Sequence, residues 1–189
     1  MGEITFRPAR PEDTDSLFEV KIAAYGDEFR RFRYAEEGRY REVVEDCRVD
    51  RARSDGMFSR EWHEAFCRCF GDWTLVIEVD SRIVGSICAQ PGRYFQEVYP
   101  EYDMSANVNV LFCIYVLPAY QDRGLGSKAM AHMEELHPAA GWILDTPEIS
   151  PKNRHFYEKG GYTRDARGSC NVYTKGLVPQ RGHTAEPST

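Results

Sequence analysis

The most regular stretch of the chain is residues 108–117, where VNVLFCIYVL places apolar side chains on both faces of an extended segment. A strand that is apolar on both faces is predicted to lie in the interior of a sheet. Pro118 ends regular pairing because proline has no N–H to donate. After it, apolar residues recur at helical spacing at Leu125, Ala129, Met133 and Leu136. The pattern predicts an interior strand, a turn and a helix in direct succession.

Patterns on either side of this stretch predict a mixture of strands and helices. Alternating apolar segments predict strands at residues 4–9, 74–79, 83–89 and 142–146, and a closing hairpin from residues 162–164 and 170–175. Helical spacing predicts helices around Leu17, Val20 and Ala24, at residues 61–70 and at residues 151–159. Residues 26–56 mix charges with aromatics without clear boundaries, and residues 94–103 predict a loop or short helix.

Composition places these elements in one domain. The chain has 189 residues, of which 42% are hydrophobic and 13% aromatic, enough to fill a single core. We expect the domain to cover residues 1–178, followed by a flexible tail at residues 179–189. No apolar run is long enough for a transmembrane helix, and the first residues lack a signal-peptide pattern, so we expect a cytoplasmic protein.

The net charge of -6 disfavours a nucleic-acid backbone or an anionic membrane as the main partner, and it accommodates a cationic one more easily. The six cysteines show no repeated metal-binding spacing, which predicts reduced, structural thiols. His63, Cys67 and Cys69 form the one local group resembling a metal site. We expect no metal there, because a closed zinc site needs four ligands and the same predicted helix has an apolar face.

The turn before the predicted helix contains Gly124 and Gly126, and this position has a specific physical use. The first N–H groups of a helix have no intrahelical partner, the helix dipole is positive there, and glycines let an anion approach the backbone. The turn is therefore predicted to hold a phosphate or pyrophosphate. The spacing matches neither a Walker loop nor a Rossmann turn.

Two motifs instead resemble those of the GCN5-related N-acetyltransferase (GNAT) family. Gln121-x-x-Gly124-x-Gly126, following an apolar strand, resembles the family's acyl-CoA pyrophosphate loop. Further along the chain, Phe156-Tyr157-Glu158-Lys159-Gly160-Gly161-Tyr162 resembles its C-terminal signature. The motifs occur in family order, each on the expected element, and the likeness extends over nearly the whole chain to about Leu177.

The resemblance implies an α/β (α+β) fold: a twisted, mostly antiparallel mixed sheet with splayed fourth and fifth strands, flanked by helices. It implies acetyl-CoA as co-substrate, with the pantetheine paired to the fourth strand and the pyrophosphate on the backbone of the glycine turn. The implied cofactor contacts are Ile114, Tyr115, Val116, Gln121, Asp122, Arg123, Gly124, Leu125, Gly126, Ser127, Asn153 and Tyr157. A solvent-facing role for Arg123 is an equal alternative.

The resemblance also implies direct transfer, in which an amine attacks the thioester and the leaving thiolate is protonated. Tyr157 matches the family tyrosine often assigned as the general acid; packing of the helix on the sheet is its alternative role. Asn153 departs from the pattern because it lies closer to Tyr157 than the asparagine of many members does. The general base stays open among Asp145, Glu148 and water, since Val110 occupies the place of the glutamate in histone-acetylating members.

The predicted function is acetylation of a primary amine of a small molecule. Two alternatives stay open: a domain that binds acyl-CoA without turnover, and acetylation of a protein or peptide amine. Aromatic and acidic residues interleave just before the fourth strand, which suggests a cationic acceptor, although an amphipathic cover with its carboxylates in solvent explains them equally well. The oligomeric state is open, with a homodimer among the alternatives.

Overall fold

A computed structural model describes residues 2–34, 73–105, 107–146, 151–165 and 171–179 of the chain. The strands are β1 (Ile4–Pro8), β2 (Thr74–Val79), β3 (Arg82–Pro91), β4 (Val108–Val116), β5 (Gly141–Thr146), β6 (Thr163–Asp165) and β7 (Asn171–Lys175). The α-helices are α1 (Thr14–Tyr34), α2 (Leu125–Leu136) and α3 (Pro151–Lys159). Short 3-10 turns occupy Pro11–Asp13, Gly92–Tyr94 and Pro118–Tyr120. The strands and helices predicted within these ranges are confirmed; strand end points shift by one or two residues, and α1 continues beyond the predicted apolar face to Tyr34.

The seven strands form one mixed sheet in the order β1-β2-β3-β4-β5-β7-β6. Antiparallel ladders join β1 to β2, β2 to β3, β5 to β7 and β6 to β7. The ladder between β4 and β5 is parallel and short, because residues 108–110 pair with residues 141–143 and the register ends there. Both strands continue, β4 to Val116 and β5 to Thr146. The sheet and its helices confirm the predicted fold class.

The chain divides into two compact units. The first consists of Met1–Ala89 and Phe112–Leu136, and the second of Gln90–Leu111 and His137–Thr189. The chain passes from one unit to the other within β3 and again within β4. A single domain over residues 1–178 stays a prediction, and residues 180–189 of the predicted tail lie outside the described residues.

In the first unit, α1 buries the predicted apolar face on the sheet. Leu17 packs with Val76 of β2, and Val20 and Ala24 pack with Tyr115 of β4. The Tyr115 hydroxyl donates to the Leu17 carbonyl oxygen at 3.4 Å. Each fully buried apolar side chain of this size contributes roughly 1.5–3 kcal/mol. The packing fixes one side chain of β4 against α1 and so fixes the strand that precedes the glycine turn.

A charged network joins β1, β2 and the start of α1. The Arg7 guanidinium donates to both Asp13 oxygens, at 2.7 and 2.8 Å, and to Glu78 Oε1 at 2.9 and 3.0 Å. Asp13 also accepts the Arg10 N–H at 2.8 Å, which ends the loop before α1. The Arg7 hydrogen bonds hold the pKa of Asp13 below its usual value, against the opposing effect of burial.

This network gives a prediction for stability. Replacing Asp13 with Asn should lower the free energy of unfolding at pH 7 by about 1–2 kcal/mol, the worth of a partly exposed charge-assisted pair. Because the folded-state pKa is depressed, the stabilisation is full above the usual aspartate pKa of about 4 and is lost as the pH falls through the folded value. Urea unfolding at pH 7 and at acid pH measures this, with exposed Glu12→Gln as the matched control. An equal deficit for Asp13→Asn at both pH values would contradict the electrostatic explanation.

The second unit has side chains packed on both faces of its strands. On one face, residues of the segment before β4 form a cluster with β4 and β5: Tyr99, Tyr102, Met104, Val108, Val110 and Ile143. On the other face, Tyr157 of α3 lies against Tyr162 and Tyr173. The segment predicted as a loop or short helix, residues 94–103, starts at the end of a 3-10 turn and continues as a loop in which Tyr99 and Tyr102 are buried.

Several predictions fall on residues that the structure does not describe. They are the helix at residues 61–70, the group formed by His63, Cys67 and Cys69, and most of residues 26–56, of which α1 includes the part up to Tyr34. Within the described ranges, no group of three or more His, Cys, Asp or Glu could hold a metal ion. The helices of those ranges are too short or too polar to cross a membrane. Cys88 and Cys113 are thiols that form no disulfide with one another or with another described residue, and the Cys88 sulfur accepts a hydrogen bond from Thr74 Oγ1 at 3.3 Å.

Candidate active site

The β4–α2 turn has the geometry expected of an anion-binding helix start. Gly124 adopts a left-handed conformation with φ +76, and its carbonyl oxygen accepts the Lys128 N–H at 3.1 Å, which makes Gly124 the residue that opens α2. Asp122 is also left-handed, with φ 59. The N–H groups of Leu125, Gly126 and Ser127 are the first of the helix and have no intrahelical acceptor. They therefore leave donors at the positive end of a 12-residue helix.

Two side chains set the position of this turn. Gln121 Nε2 donates to the Val116 carbonyl oxygen at 2.8 Å, which ties the turn to the end of β4. Leu125 is buried and anchors the first turn of α2 in the core. Gly126 is half-buried, and Ser127 and Gly124 are exposed. The glutamine of the motif thus fixes the loop to the strand, while the glycines face outward.

Two cationic side chains belong to the turn and the first turn of α2. The exposed Arg123 guanidinium carbon lies 5.5 Å from the centroid of the Tyr120 ring. Lys128 is exposed in the first turn of α2. A cation held over an aromatic ring keeps its charge available to a bound anion. Arg123 as a pyrophosphate contact stays a prediction.

The β4 residues predicted to pair with pantetheine lie beyond the last β4–β5 pair. Ile114 is half-buried, and Tyr115 and Val116 are buried. The parallel register ends at Val110, so all three follow it. The Val116 carbonyl oxygen accepts a hydrogen bond from the Gln121 side chain. Pairing of Ile114, Tyr115 and Val116 with pantetheine stays a prediction.

Cys113, in the middle of the same strand, is a half-buried thiol near Lys21. Burial raises the pKa of the Cys113 thiol, and the positive charge of Lys21 partly opposes that rise. The thiol is therefore protonated at neutral pH and behaves as a small apolar side chain. This agrees with the predicted structural role of the cysteine.

Tyr157 lies in the second unit, in an aromatic cluster on α3. It is 8% exposed, and its ring centroid is 5.5 Å from that of Tyr173, 6.2 Å from that of Tyr162 and 5.1 Å from that of Phe156. The Tyr162 N–H donates to the Tyr157 carbonyl oxygen at 3.1 Å, and Gly161, just after α3, has a φ of +86. The Tyr157 ring therefore packs within this aromatic cluster, and the packing holds the ring of the candidate general acid in place.

Asn153 has a contact that explains its position in α3. Its Nδ2 donates to Thr146 Oγ1 at 3.3 Å, which joins the first turn of α3 to the last residue of β5. This is a structural role within the second unit. A cofactor role for Asn153 stays a prediction.

The face of the second unit opposite Tyr157 holds two tyrosine–carboxylate pairs that the sequence did not indicate. The Tyr99 hydroxyl donates to Asp145 Oδ1 at 3.1 Å, and the Tyr102 hydroxyl donates to Asp165 Oδ2 at 2.7 Å. Tyr99 and Tyr102 are themselves buried, at 5% and 3% exposure. Asp145, a candidate base, is exposed on β5 and has one oxygen fixed by this bond. Glu148 lies outside the described residues.

Of the four aromatic rings before β4, two lie in the core, and a cationic acceptor stays a prediction. Tyr99 and Tyr102 are in the core, and half-buried Phe95 packs on the same cluster. Tyr94 is 63% exposed, but the Arg93 guanidinium carbon lies 4.7 Å from its ring centroid. The carboxylates of Glu97, Glu101 and Asp103 are exposed. Attraction of a cation to this segment would therefore come from charge rather than from aromatic faces.

Comparison with known proteins identifies the family. A sequence model described as the acetyltransferase (GNAT) family matches residues 29–162, which is well over half of the chain. The chain belongs to this family, as the two motifs predicted. No curated protein matches the chain by sequence.

Solved structures show the same fold at low identity. The PaiA N-acetyltransferase of Thermoplasma acidophilum, solved in complex with coenzyme A, superposes with a TM-score of 0.65 at 17% identity, covering 92% of this chain and 98% of that one. An acetyltransferase of Thermus thermophilus superposes with a TM-score of 0.62 at 16% identity, covering 94% of this chain and 100% of that one. Ard1 of Thermoplasma volcanium superposes with a TM-score of 0.59 at 16% identity, covering 94% of this chain and 99% of that one.

Proposed function

We propose that this protein transfers an acetyl group from acetyl-CoA to a primary amine of a small molecule by direct attack. The observation that carries the proposal is the β4–α2 turn, where left-handed Gly124 opens a 12-residue helix with its first N–H groups available to an anion. The short β4–β5 ladder and the buried Tyr157 support it. The coenzyme A bound by the Thermoplasma acidophilum relative is of the same chemical class as the proposed co-substrate.

Each part of the chain has a role in the proposed reaction. The backbone of residues 121–127 and the side chain of Arg123 bind the pyrophosphate, and the backbone of Ile114, Tyr115 and Val116 orients the pantetheine. A neutral amine attacks the thioester carbonyl carbon, and the carbon–sulfur bond breaks. Tyr157 donates its phenolic proton to the departing thiolate sulfur. Holding both reactants in place supplies much of the rate.

Asp145 is a candidate for the general base, the group that receives the proton of the amine, and it lies within the residues that the structure describes. Its carboxylate is exposed, and the hydrogen bond from the Tyr99 hydroxyl to one oxygen orients it on β5. An exposed, oriented carboxylate attracts an ammonium ion and accepts its proton directly or through one water. The group that receives the proton stays open among Asp145, Glu148 and water.

The experiment that tests the proposed function is a thiol-release assay. The protein is incubated with acetyl-CoA and a panel of aliphatic amines, aromatic alkylamines, amino sugars and a lysine peptide, and coenzyme A binding is measured in parallel. We expect thiol release that saturates with at least one small amine. Binding without thiol release would support the alternative of an acyl-CoA-binding domain, and release with the peptide alone would support a protein acceptor.

A further prediction concerns the charge of the acceptor. Changing Glu97 and Glu101 to Gln and Asp103 to Asn should raise the KM of a cationic amine roughly two- to tenfold at low ionic strength, because three exposed carboxylates no longer attract it. The effect should shrink in high salt through screening. Steady-state kinetics at two salt concentrations measure this, with exposed Glu135→Gln on α2 as the control.

An unchanged amine saturation curve at low salt would show that this segment does not select the acceptor. Asp103 accepts from the backbone and hydroxyl of Ser105, and the asparagine oxygen keeps both bonds, so the loop conformation should survive.

A further inference from the structure

The hydroxyl of Tyr173 is buried without a hydrogen-bond partner among the described residues. Tyr173 lies in β7, where it pairs with Leu144 of β5 on one side and with Arg164 of β6 on the other. Its side chain is 0% exposed. A buried hydroxyl without a partner costs free energy, and phenylalanine would fill the same space without that cost. The hydroxyl therefore has no structural explanation in the contacts of the described residues.

The ring of Tyr173 lies against the ring of Tyr157. Their centroids are 5.5 Å apart with an interplanar angle of 42°, so the two phenols are neighbours in one cluster. Each residue is held by a different element, Tyr157 by α3 and Tyr173 by the strand between β5 and β6. A second phenol therefore stands directly beside the proposed acid.

Several charged groups face this pair of tyrosines. Arg154 and Glu158 come from α3 and form an ion pair at 3.1 Å, and Arg164 comes from β6. Lys175 of β7 lies 5.5 Å from the neighbouring Tyr162 ring. The β5 residue beside Tyr173 is the apolar Leu144.

We propose that Tyr173 is a positioning residue for Tyr157: its hydroxyl donates a hydrogen bond, directly or through one water, to the Tyr157 oxygen when that oxygen loses its proton. The inference rests on the proposed role of Tyr157 as general acid. The Tyr157 O–H bond breaks as the coenzyme A S–H bond forms, and Tyr157 is left as a phenolate. Tyr173 keeps its own proton throughout and stabilises that phenolate, which is then reprotonated from solvent.

The state of the Tyr173 hydroxyl suits this role. Burial raises the pKa of Tyr173, and the nearby Glu158 raises it further, against the opposing effect of Arg164 and Arg154. The group therefore stays protonated at neutral pH and acts as a donor. A donor that meets its acceptor only when charge develops stabilises the transition state more than the ground state.

The test is the Tyr173→Phe variant. Because the removed hydroxyl has no partner among the described residues, the melting temperature should stay the same or rise, which keeps the variant folded. Turnover should fall about tenfold with the acetyl-CoA dissociation constant unchanged, and the basic limb of the pH profile of kcat should move upward as the pKa of Tyr157 rises. A stable variant with parental kcat and pH profile would overturn the inference.

A double-mutant cycle separates this inference from the proposed function. In the Tyr157→Phe background, Tyr173→Phe should cause no further loss of turnover, because the phenolate it stabilises no longer forms. If Tyr157→Phe lowers kcat and Tyr173→Phe does not, only the role of Tyr173 is wrong. If the parent releases no thiol with any amine, or if Tyr157→Phe has no effect, the role of Tyr157 fails, and that of Tyr173 fails with it.

Discussion

Turnover by the Tyr157→Phe variant should fall roughly ten- to a thousandfold, the usual worth of a general acid. The substitution keeps the ring, which packs against Phe156, Tyr162 and Tyr173, and removes only the hydroxyl. The aromatic cluster should therefore survive, and acetyl-CoA binding should change little. Single-turnover kinetics with an amine acceptor measure the chemical step itself.

Tyr162→Phe is the matched control for this substitution. Tyr162 is a second buried tyrosine in the same cluster, 3% exposed, and it lies outside the predicted site. Its variant should keep most of the parental turnover. If Tyr157→Phe also kept it, with chemistry shown to be rate-limiting, Tyr157 would be a packing residue only.

Acetyl-CoA should bind the Gly126→Val variant about ten- to a hundredfold more weakly than it binds the parent. Gly126 is the second residue of α2, and a branched side chain there obstructs the approach of a pyrophosphate to the first N–H groups of the helix. The expected loss corresponds to one charge-assisted hydrogen bond. Because Val is a better helix residue than Gly, the fold should survive. Isothermal titration with coenzyme A gives the dissociation constant.

The choice of Gly126 over Gly124 follows from the backbone. Gly124 has φ +76, where any Cβ is strained by about 1–2 kcal/mol, although nothing lies within 4 Å of that Cβ. A loss of binding at Gly124 would therefore mix strain with obstruction. Ala131→Val, at an exposed position of the same helix, is the control for branching alone. A folded Gly126→Val variant that bound coenzyme A with parental affinity would show that the pyrophosphate does not bind at this turn.

The sequence predicted best those elements and motifs that are encoded in one continuous stretch of residues. Residues 108–117 are apolar on both faces, and an interior strand is the one sheet position that such a pattern fits. The helix after Gly124 follows from spacing and from the turn glycines, and both appear in the structure as β4 and α2. The motifs around Gly124 and Tyr157 lie on the predicted elements for the same reason, because each is a continuous stretch of chain.

Features that depend on distant residues could not be predicted. The family resemblance implied that the fourth and fifth strands splay, but the residues at which their ladder ends, Val110 and Ile143, depend on the register between the two strands. For the segment before β4 the sequence left open a cation site and an amphipathic cover with its carboxylates in solvent, and the buried Tyr99 and Tyr102 agree with the cover. Their hydroxyls bond Asp145 and Asp165, far along the chain. No sequence motif indicated a role for Tyr173, because only the packing of α3 brings Tyr157 next to it.

The most direct measurement of the proposed function is transfer of a labelled acetyl group. The protein is incubated with acetyl-CoA carrying a ¹³C-acetyl group and an amine that supports thiol release, and the products are identified by mass spectrometry. We predict labelled N-acetyl amine in an amount equal to the coenzyme A released, with the mass of the intact protein unchanged when the amine is omitted. Labelled acetate without amide, or a labelled protein as an intermediate, would contradict direct transfer to an amine.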